Sequence, residues 1–481
     1  MAERSQGQLQ EQRGLGKYRD KIVNGPIVRT LFWLGLPPLI NQLVIVAYNI
    51  ADTYWLSQYS EVVVAVPRQV WPVIFLFQSA INALTAACLS MVSQYIGAKA
   101  YEKASLEASR FFTLSFTVGA VLGSVLFTFR NIIFAGIMAT PPEIFEEVMA
   151  YSSVIVLDIF FNYIALTYAT ILQSLGDTKK PAIVNVAAVA INIALDPFLV
   201  LGIGGFPRLG VVGAALTDVL GKIISIIALA YVLRRHYPEL QITFTGNMDA
   251  QWAKVVLRIS LPILALGVTN GFAFLMQLRL VNILGVAVAA AFSIGFVILD
   301  AVNAALWGLS GAPAIMIGQN LGADNPKRAR EIAIKGALII SALIALAAVI
   351  IYPARGWIAD VFADDPEIIY ETTLFLEVIL PALPFFAMFI NAVSAGRGSG
   401  HTLFPTVLGV TRLWVLRLAV GYVLAFPLGM GSLGIWLAVA LSHIIGGVAS
   451  LIWLKYGKWV EAVIEKPSIS EEAEYESVFN P

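Results

Sequence analysis

Charge is scarce in this sequence. Only 13% of its 481 residues are Asp, Glu, Lys or Arg against 58% apolar, and the mean hydropathy is +0.80; a soluble globular chain of this length presents far more charge. The chain is therefore an integral membrane protein. Acidic and basic residues balance at 31 each, which gives no basic excess for nucleic acid. A single cysteine, Cys88, and three histidines leave neither a disulfide framework nor a metal cluster. Cys88 sits in an apolar run and reads as packing. No nucleophile cluster or cofactor motif appears, so an enzyme is not expected and neither is a cofactor. The first 26 residues are polar and lack the apolar core and cleavage site of a signal peptide. The tail from Lys466 to Pro481 is polar and acidic and reads as a disordered end.

What the chain has in abundance is long apolar runs. A helix needs about 20 apolar residues to cross a bilayer, and twelve runs qualify, at roughly 28 to 56, 63 to 96, 106 to 128, 146 to 174, 181 to 204, 211 to 235, 252 to 283, 286 to 320, 331 to 353, 371 to 395, 402 to 428 and 433 to 456. The longest polar break, HYPELQITFTGNMDAQ, separates six spans from six. The expected organisation is a segment 1–26, a first half 27–235, a linker 236–251, a second half 252–456 and a tail 457–481. Lys17, Arg19, Lys21, Lys99, Lys103, Lys179, Lys180, Arg234, Arg235, Lys327, Arg328, Arg330, Lys455 and Lys458 fall on one side. Positive charge stays in the cytoplasm, so both termini are expected there, in a multi-pass protein of the cell membrane.

The two halves carry a repeat. MVSQYIGA, with Met91, Gln94, Gly97 and Ala98, recurs 225 residues later as MIGQNLGA, with Met316, Gln319, Gly322 and Ala323, and Pro37 falls on Pro262 at the same offset. Six spans is an even number, so both halves enter from the same side. The expected fold is all-α, twelve transmembrane helices in two six-helix halves related by a pseudo-two-fold along the membrane normal.

Ionisable residues inside the spans are expensive and carry the functional reading. Asp52 ends span 1 in YNIADTYW, and its matched position is Gln277. Asp196 lies about 12 Å inside the outer end of span 5 by helical rise, with Asn192 one turn before it on the same face. Thr217 in span 6 and Tyr151 in span 4 reach a similar depth. Together these five residues form a layer suited to a proton, or to a sodium ion at Asp52, Asn192, Asp196 and Thr217, because hard cations take carboxylate, amide and hydroxyl oxygens. Asp218 is expected to pair locally with Lys222, four residues on. Arg279, Asp300, Glu377, Arg412 and Arg417 include both signs, so mutual pairing is expected in the second half, with Glu377 kept as a candidate. Pro37 and Pro38 bend span 1 and are hinge candidates; Phe160, Phe161, Tyr163, Gln277 and Met276 are the substrate candidates.

YNIADTYW ending span 1, the Q-x-x-G-A segments after spans 2 and 8, LGDTKKP before span 5 and NIALDP within it together resemble the MATE family of multidrug and toxic compound extruders, over roughly residues 27 to 456. They most resemble its prokaryotic and archaeal DinF-type branch. The resemblance implies efflux of organic, often cationic, compounds in exchange for protons or sodium ions, with coupling at an acidic pair of the first half that falls on Asp52 and Asp196. It places the span 5 asparagine on Asn192, the span 4 tyrosine on Tyr151 and the span 6 threonine on Thr217. Other branches use an acid in span 7, where this chain has Thr269, Asn270 and Gln277. The expected partners are small organic molecules and membrane lipids, and nothing in the sequence requires more than a monomer. A lipid or lipid-linked oligosaccharide flippase of the same superfold is the alternative.

Overall fold

The computed structural model of the protein describes residues 14–60 and 62–465. The first 13 residues, Glu61 and the tail from Lys466, read above as a disordered end, lie outside the described residues. Among the described residues there is no strand, and twelve helices are long and apolar enough to cross a membrane: α1 (Ile27–Tyr59), α2 (Ala65–Gly97), α3 (Tyr101–Ile137), α4 (Pro142–Ser174), α5 (Lys179–Leu201), α6 (Val211–His236), α7 (Ala250–Ile283), α8 (Val286–Gly322), α9 (Pro326–Phe362), α10 (Pro366–Ser399), α11 (Leu403–Ala425) and α12 (Gly431–Tyr456). Several outrun their apolar cores. Residues 101–105 continue α3 although they carry Glu102 and Lys103, because backbone hydrogen bonding does not stop at the hydrocarbon boundary.

The halves are packed alike. In the first, α4 packs on α2, α3 and α6, and α5 packs on α1 and α6; in the second, α10 packs on α8, α9 and α12, and α11 on α7 and α12. Contacts between halves obey the same symmetry, with α1 against α8 and α7 against α2, while α2 meets its own counterpart α8. The recurring segment makes that last contact. A methyl group on Gly97 would strike the Gln319 carbonyl, and one on Gly322 would strike the Gln94 carbonyl, so glycine at both places lets the two helices cross backbone to backbone. Gln94 Nε2 donates to Gly398 O and Ser399 O at 3.1 and 3.2 Å. Gln319 Nε2 makes the matching bond to Ser174 O at 2.8 Å. Each half thus holds the end of a helix in the other.

The described parts of both terminal segments, 14–26 and 457–465, dock on this crossing. Arg19 Nε donates to Gly97 O at 2.8 Å, and Val463 N donates to Gln94 Oε1 at 2.8 Å. The polar linker is also fastened. It runs extended along α3, where Ser105, Ser109 and Thr113, four residues apart on one helix face, accept from the backbone N–H groups of Gln241, Thr243 and Thr245 at 3.1, 3.2 and 3.1 Å.

Candidate functional site

Four helices bring polar side chains into the interior of the first half. Tyr48 and Asp52 lie one turn apart on α1, Asn192 and Asp196 one turn apart on α5, Thr217 and Asp218 side by side on α6, and Tyr151 and Asp158 on α4. Close approach of α5 and α6 depends on Gly221, where a Cβ would come within 2.6 Å of Asn192 Oδ1. In the gap so formed, Thr217 Oγ1 donates to Asp196 Oδ1 at 2.7 Å. Asn192 Nδ2 donates to Asp218 Oδ1 at 3.2 Å, and Tyr48 OH donates to the same oxygen at 2.7 Å. Asp196 and Thr217 are fully buried, and Asn192 and Tyr151 nearly so. Asp52 has no hydrogen bond to this network, but it shares its field: the charges acting on it are Asp218 and Asp196. Tyr151 feels Asp218, Asp52 and Asp158.

The chemistry of this nest follows from what is missing. Asp52 Oδ1, Asn192 Oδ1 and Asp196 Oδ2 are buried without a hydrogen-bond partner, and all three are acceptors. A buried polar atom left unpaired costs about 1–3 kcal/mol. A proton on a carboxyl group, or a small hard cation among these oxygens, removes that cost. No cluster of three or more Asp, Glu, His or Cys with metal-holding geometry occurs among the described residues, so a sodium ion here would be bound by the mixed carboxylate, amide and hydroxyl set.

Asp218 departs from the sequence expectation. Lys222 makes no ion pair with it within ion-pair distance, although its charge still acts on it; the lysine instead pairs with Asp158 on α4 at 3.9 Å, and Asp218 accepts from Tyr48 and Asn192. Sequence reasoning missed both Tyr48 and Asp158. Asp158 is an intramembrane carboxylate in its own right, and Tyr48 stands four residues before Asp52, so each left a signal.

The second half is arranged differently. Glu377 pairs with Arg355 at 3.4 Å and is half exposed, which takes it out of the interior. The expected mutual pairing fails for Arg412 and Arg417, since among the described residues neither has a carboxylate within ion-pair distance. Of the substrate candidates, Tyr163 is 1% exposed with its hydroxyl bonded to Phe77 O at 2.8 Å, a packing role that removes it from any cavity. Phe160 stacks edge-on against Phe116 and Phe161, both at 5.1 Å. Gln277 is buried, whereas its neighbour Met276 is exposed, so the two point to different surroundings. Pro37 and Pro38 lie inside an unbroken α1, where Gly308 of α8 comes against the backbone of Leu39.

The sequence profile of the MatE family matches residues 37–198 and 262–423, one copy in each half. Among curated proteins, the chain is 26% identical to the probable multidrug resistance protein YoeA of Bacillus subtilis, over 82% of this chain and 86% of that one. It is 24% identical to the probable multidrug resistance protein NorM of Thermotoga maritima over 92% and 96%. It is also 25% identical to the FAD transporter of Shewanella oneidensis over 90% and 95%. Two crystal structures described as MATE in the bent and in the straight conformation each align with a TM-score of 0.83 at 20% identity, covering 91% and 90% of this chain and 96% and 97% of theirs.

Proposed function

The chain belongs to the MatE family, a family of transporters and not of enzymes, and from that premise we propose that it is an antiporter that exports organic molecules in exchange for protons or sodium ions. The observation that carries this reading is the nest of unpartnered acceptors at Asp52, Asn192 and Asp196. An entering cation binds there and relieves unpaired oxygens; cargo leaves by the seam between halves as they alternate. Asp52 and Asp196 carry the charge change, with Asp218 as a third carboxylate. Thr217, Asn192 and Tyr48 donate to these carboxylates and hold them in place, and Tyr151 closes the layer. Such a cycle requires that ion-bound and ion-free nests favour different arrangements, since a ligand shifts an equilibrium only by its differential affinity.

The cargo is a small organic molecule. Relatives named as multidrug resistance proteins support amphipathic, often cationic, drugs. A second class is favoured by the relative named as an FAD transporter, which points to cargo bearing phosphate.

Reconstituted vesicles test the proposal. With a proton or a sodium gradient imposed separately, uptake of a cationic dye is expected to follow one of the two, and Asp52→Asn with Asp196→Asn is expected to abolish the dependence. Dye movement that ignores both gradients in the unaltered protein, or gradient-driven transport retained by both variants, overturns it.

A further inference from the structure

Arg412 and Arg417 both stand in the π-helical stretch Arg412–Ala419 of α11. In an α-helix, residues five apart point about 140° away from each other at 3.6 residues per turn. A π turn hydrogen-bonds i to i+5 and brings them one above the other, and such turns recur at functional sites. The local backbone therefore aligns two guanidinium groups in the membrane interior. Arg412 is 5% exposed, with Cζ 5.0 and 4.6 Å from the ring centroids of Phe386 and Phe389 and Nη1 2.9 Å from His443 Nδ1. The rings cover the guanidinium face, but the donors lie on its edge. The Nε atoms of both arginines are buried with no hydrogen-bond partner. The charged neighbour acting on Arg412 is Arg417, of like sign.

A third orphaned donor lies on α7, the helix packed against the same stretch. Gln277 on α7 is 1% exposed and its Nε2 is likewise buried and unpartnered. It stands one turn after Ala273, which packs against Leu413 and Leu418 of the same π-helical stretch. Among the described residues no acid of this half, Asp300 included, makes an ion pair with either arginine: Glu377 pairs with Arg355, and Glu371 accepts from Ser432 at 3.0 Å, near the start of α12. Buried charge without a counter-charge is strongly unfavourable, and every unsatisfied atom in this cluster is a donor. The nest in the first half presents the reverse, since the orphaned oxygens of Asp52, Asn192 and Asp196 are all acceptors. Gln277 is the matched position of Asp52.

We propose that Arg412, Arg417 and Gln277 form an anion-binding site in the second half, with His443 positioning Arg412. Its ligand is a carboxylate or phosphate group carried by the cargo, or a small inorganic anion. The proposal rests on the transporter reading and extends it: the cargo class then includes acids, phosphate esters and zwitterions.

Riboflavin and riboflavin 5′-phosphate differ by one phosphate and report their own binding by fluorescence. With purified protein, the phosphate ester is expected to bind about tenfold tighter than riboflavin, a difference in keeping with charge-assisted bonds to Arg. Arg412→Gln with Arg417→Gln is expected to bring the two flavins together, and Gln277→Leu, which keeps both arginines, to narrow the gap severalfold. Added chloride separates the sources. If chloride raises the melting temperature of the unaltered protein and displaces the ester, the site takes inorganic anions; if the ester holds its advantage in chloride, the site reads the cargo's own group. Equal affinity for the two flavins, together with no chloride effect on melting in the unaltered protein, overturns the site. Gradient-driven dye transport measured on the same preparation reports separately on the antiporter itself.

Discussion

Tyr48 reaches Asp218 only because four residues make about one helical turn, which sets it on the same face of α1 as Asp52. Its bond to the carboxylate is 2.7 Å long, and bonds to charged groups contribute about 1.5–3 kcal/mol. That donor stabilises the charged carboxylate and competes with an arriving cation, so Tyr48→Phe is expected to raise the affinity for the coupling cation by about tenfold or more with the fold intact, read as the cation concentration giving half-maximal dye transport; an unchanged midpoint would remove Tyr48 from the nest. Gly221→Ala tests the same geometry from the other side. A methyl group 2.6 Å from Asn192 Oδ1 must displace the amide that donates to Asp218, so the midpoint is expected to move the same way in this variant. Asn192 and Asp196 were legible in the sequence as a polar pair one turn apart in an apolar helix. The partner of Lys222 was not, because Asp158 approaches from α4, and a cross-helix contact leaves no spacing in the chain. Arg412 and Arg417 were visible as charges, yet their common face depends on a π turn, for which the sequence carries no period.

Elements show the same division. The linker between the halves was evident only as a polar break, yet the structure gives its alternate residues a purpose. Two residues of extended chain advance about 6.6 Å and four residues of helix about 6.0 Å, so Gln241, Thr243 and Thr245 keep pace with Ser105, Ser109 and Thr113 along α3. Arg110 extends the seam to Asn247, and the buried Glu107 joins Arg110 to Trp252 Nε1 at 2.8 and 2.7 Å. Neither periodicity means anything until the two strips are laid together. Ser109→Val with Thr113→Val removes two of these acceptors and is expected to cost about 1–3 kcal/mol at 0.5–1.5 per bond; a thermal melt with no decrease would show the linker to be merely draped. LGDTKKP, which served as a family signature, has a comparable structural reason. Asp177 accepts from Lys180 N at 3.2 Å at the start of α5, pairs with Lys180 Nζ at 2.6 Å and accepts from Tyr237 OH at 2.7 Å. Burial and Asp177 push the Tyr237 phenol up from its usual range, so it remains a donor and ties the end of α6 to the start of α5.

At the scale of the whole molecule, the recurring segment is the device that closes one face. The matched glycines let α2 and α8 cross, and the matched glutamines each hold the last carbonyls of a helix in the opposite half. These are contacts between halves, so they must break if that face is to open. Gln94 spreads its amide over Ser90, Gly398 and Ser399 while accepting from Val463; at about 1 kcal/mol net for each bond, releasing both glutamines removes several kcal/mol from the closed arrangement. Since 1.4 kcal/mol is tenfold in an equilibrium constant, the double variant Gln94→Ala with Gln319→Ala is expected to populate an open form that the unaltered protein scarcely visits. Glu102 and Lys327 are exposed, lie at the starts of α3 and α9 beside the crossing and are themselves one repeat apart, which makes them suitable sites for paired spin labels. Cys88 is buried and is the chain's single cysteine, so Cys88→Ser clears the background. One short distance is expected in the unaltered protein and an added longer population in the double variant, with dye transport losing its directionality as the face stays open. Superimposable distance distributions would show that the crossing is a permanent joint, and that the halves must move about it without parting.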